Sequence, residues 1–325
     1  MAEHATYFAD EGARRAYMTK RIISKVLIYL FLSIFALFLL TPFVIMIIGS
    51  FVNAESFYQF SSQADISYLS FANWGISNYK VVFSTKASNI LTGEQVMKNS
   101  YNFGAYFLNT FIVAVGSTTV TVVTAVLAAF AFARLEFKGK EALFALLLGT
   151  MMIPGEMMVI TNYMTVLQFD WQNTFCALIL VHGVSVFYVF YLRQTFQQIP
   201  NELYLAAKVD GVGDLGYLWK VMIPIAMPTI TTIIILSMMG AWNSYVWPQL
   251  VTDNAGWKYS ADVKNPHTMM LVSNGLRSMF AQDADSQFDA IKLAGSMVIS
   301  TPLFIVFICF RKYIMKGVSR SGIKG

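Results

Sequence analysis

The side chains that could do chemistry in this sequence are few, and they sit in unusually apolar surroundings. Glu156, in the run "IPGEMM", is an acid inside a hydrophobic segment. A carboxylate near a bilayer centre costs roughly 2.5–3.5 kcal/mol on insertion scales, so intramembrane acids are functional candidates. Glu156 reads either as a pathway or gate residue or as a structural acid satisfied by backbone freed near Pro154. His182, in a second apolar run, either faces a polar path or is a hydrogen-bonded packing residue. Trp242, Asn243 and Trp247, in "WNSYVWP", combine aromatic faces with an amide. That combination stacks on and hydrogen-bonds to a hydroxyl-rich ring, and it equally suits an aromatic belt at a membrane interface. Covalent chemistry is not indicated. The three histidines, His4, His182 and His267, are scattered, so no catalytic or metal cluster is expected. No nucleotide-binding P-loop, His-Glu-x-x-His or Gly-x-Ser-x-Gly pattern occurs. Cys176 and Cys309 lie in apolar runs and read as unpaired.

The elements that hold these residues are set by composition. The chain has 325 residues, 56% of them hydrophobic and 13% charged, with 27 Phe and 18 Met. A soluble domain carries about a quarter charged residues, so this composition indicates a multi-pass membrane protein. Six stretches approach the roughly 20 apolar residues that a membrane helix needs: 26–50, 106–133, 142–167, 174–193, 223–248 and 293–312. The predicted fold is all-α and transmembrane, with six helices, because helices satisfy their own backbone groups in lipid. The predicted organisation is an N-terminal tail over 1–25, a six-span domain over 26–312 and a C-terminal tail over 313–325.

The net charge of +5 matters less for its size than for its placement, and it does not point to nucleic acid. Arg14, Arg15, Lys20, Arg21 and Lys25 precede the first span, and Arg134, Lys138 and Lys140 come after the second. Arg193, Lys208 and Lys220 lie between spans four and five, and Arg311, Lys312, Lys316, Arg320 and Lys324 close the chain. The positive-inside rule therefore predicts both termini and the segment 194–222 in the cytoplasm. The loops 51–105 and 249–292 are then external, and their Ser, Asn, Asp, Tyr and Trp content reads as folded rather than linker-like.

The cytoplasmic stretch "NELYLAAKVDGVGDLGYLWKVMIPIAMP" (201–228) is the chain's most structured polar loop. Pro200 suits a helix start, and Glu202 suits the first turn, where the helix dipole favours an acid. Ala206 and Ala207 leave a smooth surface, and Asp210–Gly211 reads as a turn. A second short helix is expected from about Asp214, with Pro224 and Pro228 breaking or kinking the way into the fifth span. The result is a helix–turn–helix that either docks another protein or lies on the lipid surface.

This stretch resembles the EAA loop of binding-protein-dependent ABC importer permeases, most closely the carbohydrate-importer branch of the maltose-transporter second-subunit type. The resemblance runs from about residue 25 and includes "NTFIVAVGSTTVTVVTAVLAAFAFARLEFKGKE", "MMIPGEMMVITNYMTVLQFDWQNTFCALIL", "WNSYVWP" and the tail "RKYIMKGVSRSGIKG". It implies a type I importer permease fold in a prokaryotic cell membrane. It implies as partners a second, non-identical permease, two ATP-binding cassette subunits and an extracytoplasmic solute-binding protein. This chain would bind no cofactor itself, ATP and magnesium being held by the cassette subunits. Glu202, Ala206, Ala207, Asp210 and Gly211 would form the ATPase-coupling element, and Lys324 and Gly325 would reach the ATPase subunits. The glutamate that gives the EAA loop its name is replaced by Leu205, so docking would lean on apolar contact or on the partner permease. The alternative is a secondary transporter or channel without an ATPase. It would carry inverted repeats and paired ionisable residues at midplane, and neither is evident.

Overall fold

A computed structural model describes residues 11–83, 103–252, 269–282 and 289–319. Among these the chain is helical, with one isolated bridge between Val52 and Trp74. The chain divides into two compact units, Met1–Tyr79 with Ser286–Met297, and Lys80–Asp285 with Val298–Gly325.

The first unit is built on α1 (Glu11–Phe51), which is helical well before the expected start of the first span. It is apolar around its circumference and exposed over most of its length, as at Leu37, Phe38 and Leu40. A helix that is apolar all round needs lipid or a partner to cover it. After α1 the chain turns sharply. Asn53 caps α2 (Ala54–Gln63) by accepting from the Ser56 N–H at 2.8 Å. Two short 3₁₀ turns, Ile66–Leu69 and Phe71–Asn73, precede α3 (Ser77–Phe83). Buried Asn78 fastens the elbow by donating to the carbonyls of Ser50 at 3.0 Å and Val52 at 2.7 Å. Phe51 stacks on Trp74 with ring centroids 5.9 Å apart. The described part of loop 51–105 is thus folded, as its composition suggests.

The second unit is organised around α4 (Phe103–Arg134). α5 (Lys140–Thr150) and α6 (Gly155–Gln168) make a 94° bend. Pro154 sits at the bend with ψ 131°, and proline both lacks an N–H and disfavours helix before it. The stretch 174–193, expected as one span, is instead two short helices, α7 (Phe175–Ile179) and α8 (Val186–Gln197). Hydropathy does not register the break because Leu180, Val181 and Val184 keep the link apolar enough to average into its flanking helices. α9 (Asn201–Val209) and α10 (Asp214–Tyr217) form the expected helix–turn–helix. Pro224 and Pro228 do not break the helix that contains them. A π turn at Leu218–Met222 leads directly into α11 (Ile223–Trp242), with Pro224 at its start and Pro228 inside it. Proline is tolerated in a first turn because the missing N–H would lack a helical partner there. α12 (Val246–Thr252), α13 (Val272–Gln282) and α14 (Asp289–Ser319) complete the described chain, α14 passing from the first unit into the second.

Among the described residues, four helical stretches are long and apolar enough to cross a membrane: Tyr17–Phe51, Phe103–Arg134, Asp214–Trp242 and Asp289–Arg311. The bent pair α5–α6 makes a fifth if it counts as one span. The protein is a multi-pass membrane protein, and its remaining expected crossing is the interrupted α7–α8 segment.

Candidate functional site

Two irregular segments meet in the second unit. One is the α7–α8 break at Leu180–Ser185, and the other is the α11–α12 break at Asn243–Tyr245. Non-helical backbone at membrane depth is tolerated only where protein buries it or where it lines a cavity. Here both conditions hold. The Gly183 carbonyl accepts from the Thr124 hydroxyl of α4 at 2.8 Å. A side chain at Gly183 would lie 2.7 Å from Val120 Cγ1, so only glycine permits this approach to α4. Ser185 caps α8 by accepting from the Tyr188 N–H at 3.4 Å.

Between these breaks and α4 lies a cavity of about 260 Å³. Ser117 and Thr121 enter it from α4, Ser185 and Tyr188 from the start of α8, and Ser237 from α11. The two breaks add His182 and Ser244, and α12 adds Trp247. No Asp, Glu, Lys or Arg among the described residues lines it. Trp247 is buried and fixed by an indole N–H bond to the Ala177 carbonyl at 2.9 Å. Its ring meets His182 edge-on, with centroids 5.1 Å apart. A rigid indole beside an imidazole and a ring of hydroxyls offers a stacking face and many neutral hydrogen-bonding groups.

Of the pathway candidates chosen from sequence, the structure puts His182 and Trp247 in this cavity. Glu156 is exposed in the first turn of α6 and does not line it. Trp242 is buried with its indole N–H on the Ile299 carbonyl at 3.3 Å, while Asn243 caps the end of α11 and donates to the Met239 carbonyl at 3.0 Å. Neither Trp242 nor Asn243 lines the cavity, because the helix ends at Trp242 and the chain changes direction. The cavity hydroxyls escape notice in the sequence because they come from separate segments. The one sign available there is Gly183 beside Ser185, a break-and-cap pair inside an apolar run.

The second candidate element is the α9–α10 loop. Glu202 lies in the first turn of α9 and Asp210 ends it, with the Asp210 N–H on the Ala206 carbonyl at 2.9 Å. Gly211 comes next with φ 73°, in the left-handed region. Ala207 is buried at the loop's inner face, whereas Ala206 is exposed. Tyr204, Ala207, Tyr217, Leu218 and Met222 share one apolar cluster with Phe130, Leu192 and Phe196. Where such side chains leave water, each contributes about 1.5–3 kcal/mol. Tyr204 also donates to Asp214 Oδ1 at 2.7 Å, tying α9 to α10. Hydrogen bonding to Tyr204, and then its charge, hold the Lys208 ammonium above the usual lysine range. Outward, Val209 is 87% exposed and Leu205 55% exposed. Lys324 and Gly325 lie outside the described residues, as does most of the stretch "DNAGWKYSADVKNPHTMM" (253–270) in the loop expected to be external.

A helical membrane unit with interrupted spans around a polar cavity, and a folded loop rooted on its span ends, is the architecture of a solute permease. The family model described as binding-protein-dependent transport system inner membrane component matches residues 121–320, and the chain belongs to that family. It is 27% identical over 310 residues to the polygalacturonan/rhamnogalacturonan transport system permease protein YtcP of Bacillus subtilis, covering 94% of this chain and 100% of that one. It is 28% identical over 223 residues to the arabinooligosaccharides transport system permease protein AraQ of Halalkalibacterium halodurans, covering 69% of this chain and 75% of that protein. The crystal structure of a bacterial ABC transporter involved in the import of the acidic polysaccharide alginate shares the fold. Its TM-score is 0.70 at 20% identity, covering 95% of this chain and 99% of that chain.

Proposed function

We propose that this chain is one permease subunit of an ATP-driven importer for a neutral oligosaccharide. The observation that carries the substrate class is the cavity: hydroxyls, an imidazole and an indole, with no charged side chain in its described lining. A sugar ring is recognised by stacking and neutral hydrogen bonds, whereas an anionic substrate calls for fixed positive charge. The permeases of arabinooligosaccharide and polygalacturonan transport are similar chains, one neutral and one acidic in substrate, and the uncharged lining favours the first kind.

Glu202, Ala206, Asp210 and Gly211 belong to the surface on which an ATP-binding subunit docks, and buried Ala207 seats that surface on the chain's own core. Exposed Leu205 and Val209 supply apolar contact in place of the missing acid. ATP and magnesium are bound by those partner subunits. A second, non-identical permease completes the pathway and a solute-binding protein delivers substrate from outside. Both termini are cytoplasmic in this reading, which the Lys and Arg distribution supports. Lys324 and Gly325 extend the ATPase contact. ATP binding shifts the population between outward- and inward-facing states through its differential affinity for them.

The test is uptake by cells carrying the complete transporter, offered neutral arabino-, xylo- and malto-oligosaccharides and, separately, oligogalacturonides and glycerol phosphate. Saturable uptake of a neutral oligosaccharide that stops when the ATPase subunit is inactivated is the expected result. Uptake restricted to anionic substrates overturns the substrate class, and uptake that survives ATPase inactivation overturns the importer reading.

A further inference from the structure

Two arginines on neighbouring helices hold each other's C-terminal ends. Arg134, the last residue of α4, donates through Nη2 to the Phe196 carbonyl at 2.8 Å and also to the Ile199 carbonyl. Those carbonyls belong to the end of α8 and to the short link into α9. In return Arg193 of α8 donates through Nε to the Phe132 carbonyl of α4 at 3.0 Å. Helix C-termini carry orphan carbonyls and partial negative charge, so a guanidinium at each satisfies both.

Arg193 is only 7% exposed, and a buried cation needs more than one partner. Besides the Phe132 carbonyl it has two others. Its Nη2 donates to both carboxylate oxygens of Glu141, in the first turn of α5, at 2.8 and 3.0 Å. Its guanidinium lies 3.9 Å from the centroid of the buried Phe144 ring. One side chain thus joins α4, α5 and α8, and Arg134 joins the same α4 to the root of α9.

We infer that Arg134, Arg193 and Glu141 form a reciprocal clasp that makes the α9 loop move as one body with the spans lining the cavity, so that they are positioning residues for the coupling of ATP hydrolysis to the change of access. This rests on the reading of the chain as the permease of an ATP-driven importer. α8 supplies cavity residues at its start and a clasp residue towards its end, and α4 supplies cavity residues from its middle and clasp residues from its end. The clasp is therefore a physical link between the proposed docking loop and the cavity. Without it, α9 keeps its apolar seat but loses the bonds that fix it to the helix ends.

The experiment uses the assembled transporter in nanodiscs, with Cys176 and Cys309 replaced by serine and a reporter Ser237→Cys in the cavity. The labelling rate of the reporter by a small methanethiosulfonate reagent is followed with and without ATP and vanadate, alongside ATP hydrolysis. With the clasp intact, nucleotide is expected to change the labelling rate by about fivefold or more, the low end of coupling between linked sites. In Arg193→Ala and Glu141→Gln, hydrolysis should persist within about twofold while the nucleotide-dependent change in labelling is lost, with Arg193→Lys intermediate. A merely structural role would lower hydrolysis and response together. If Arg193→Ala does not reach the membrane, Glu141→Gln decides, because the Glu141 side chain is 71% exposed and its loss leaves no cavity. Variants whose labelling responds as fully as the intact clasp overturn the inference. An intact-clasp complex that shows no nucleotide response at all overturns the functional reading on which it rests.

Discussion

Gly211 offers the sharpest test of the loop. Its φ is 73°, its N–H donates to the Lys208 carbonyl at 3.1 Å, and the next N–H, of Val212, donates to the Ala207 carbonyl at 2.8 Å. These bonds turn the chain from α9 into α10. Apart from its chain neighbours, no described atom lies within 4 Å of where a Cβ at Gly211 would stand. Within this chain, therefore, a substitution there is penalised by backbone conformation alone. A residue with a Cβ pays roughly 1–2 kcal/mol in the left-handed region, with asparagine penalised least and β-branched residues most. At about 1.4 kcal/mol per tenfold, that is a factor of about 5–30 in the population of the native turn. Membrane insertion should not change, because the turn lies outside the spans. The assay is titration of the ATPase subunit against detergent-solubilised permease carrying Gly211→Asn, Gly211→Ala or Gly211→Val. Affinity should fall in that order, with Val about 5–30-fold weaker than glycine. Val binding as tightly as Asn would refute the conformational argument. Equal loss in all three would place the cost in close approach of the partner surface, not in φ.

Leu205→Ser or Val209→Ser should each weaken ATPase-subunit binding by about 1–2 kcal/mol, since these exposed apolar side chains are covered on docking, and the same titration measures it. Trp247→Ala removes a buried indole bonded to Ala177 and touching His182, and should cost about 3–5 kcal/mol, seen as a lowered thermal midpoint of the purified permease. Gly183→Ala should cost about 1–3 kcal/mol by overpacking against Val120, whereas Gly149→Ala, in open space near the end of α5, should be neutral to slightly stabilising in the same thermal assay. Asn78→Ala leaves the Ser50 and Val52 carbonyls without their buried donor and should cost about 1–3 kcal/mol, read as faster proteolysis of the α1–α2 elbow.

The parts of this protein legible in its sequence are those governed by local rules. The apolar length of α1, α4 and α11 marks them as spans, because a bilayer imposes length and composition on a helix directly. The α9–α10 turn is legible because Asp210–Gly211 states a backbone requirement that the structure meets with φ 73°. The 94° bend at Pro154 falls inside the stretch 142–167, which its apolar length alone marks as one span. Pro224 and Pro228 suggest a break or kink on the way into the fifth span, and the helix in fact continues through both, with its irregularity in the π turn at Leu218–Met222 just ahead of them. The cavity is illegible for a different reason. Ser117, Ser185 and the nearby Ser237 and Ser244 come from three separate stretches of the chain, and each alone is an ordinary serine in a membrane helix or loop. Only the packing of α4 against α8 and α11 brings them together. Trp242 and Asn243 look like a recognition pair by type, but the helix end between them commits both to structural hydrogen bonds. The arginine clasp is hidden in the same way, since Arg134 and Arg193 count in sequence only as positive charge beside a span.

The importer reading is tested most simply by purifying the tagged chain from detergent-solubilised membranes after co-expression with its neighbouring genes, identifying every co-purifying protein and assaying ATP hydrolysis. A second permease, an ATP-binding subunit and ATP turnover are expected in the purified complex. A chain recovered alone and stable, without ATP turnover despite verified expression of its neighbours, would contradict that reading.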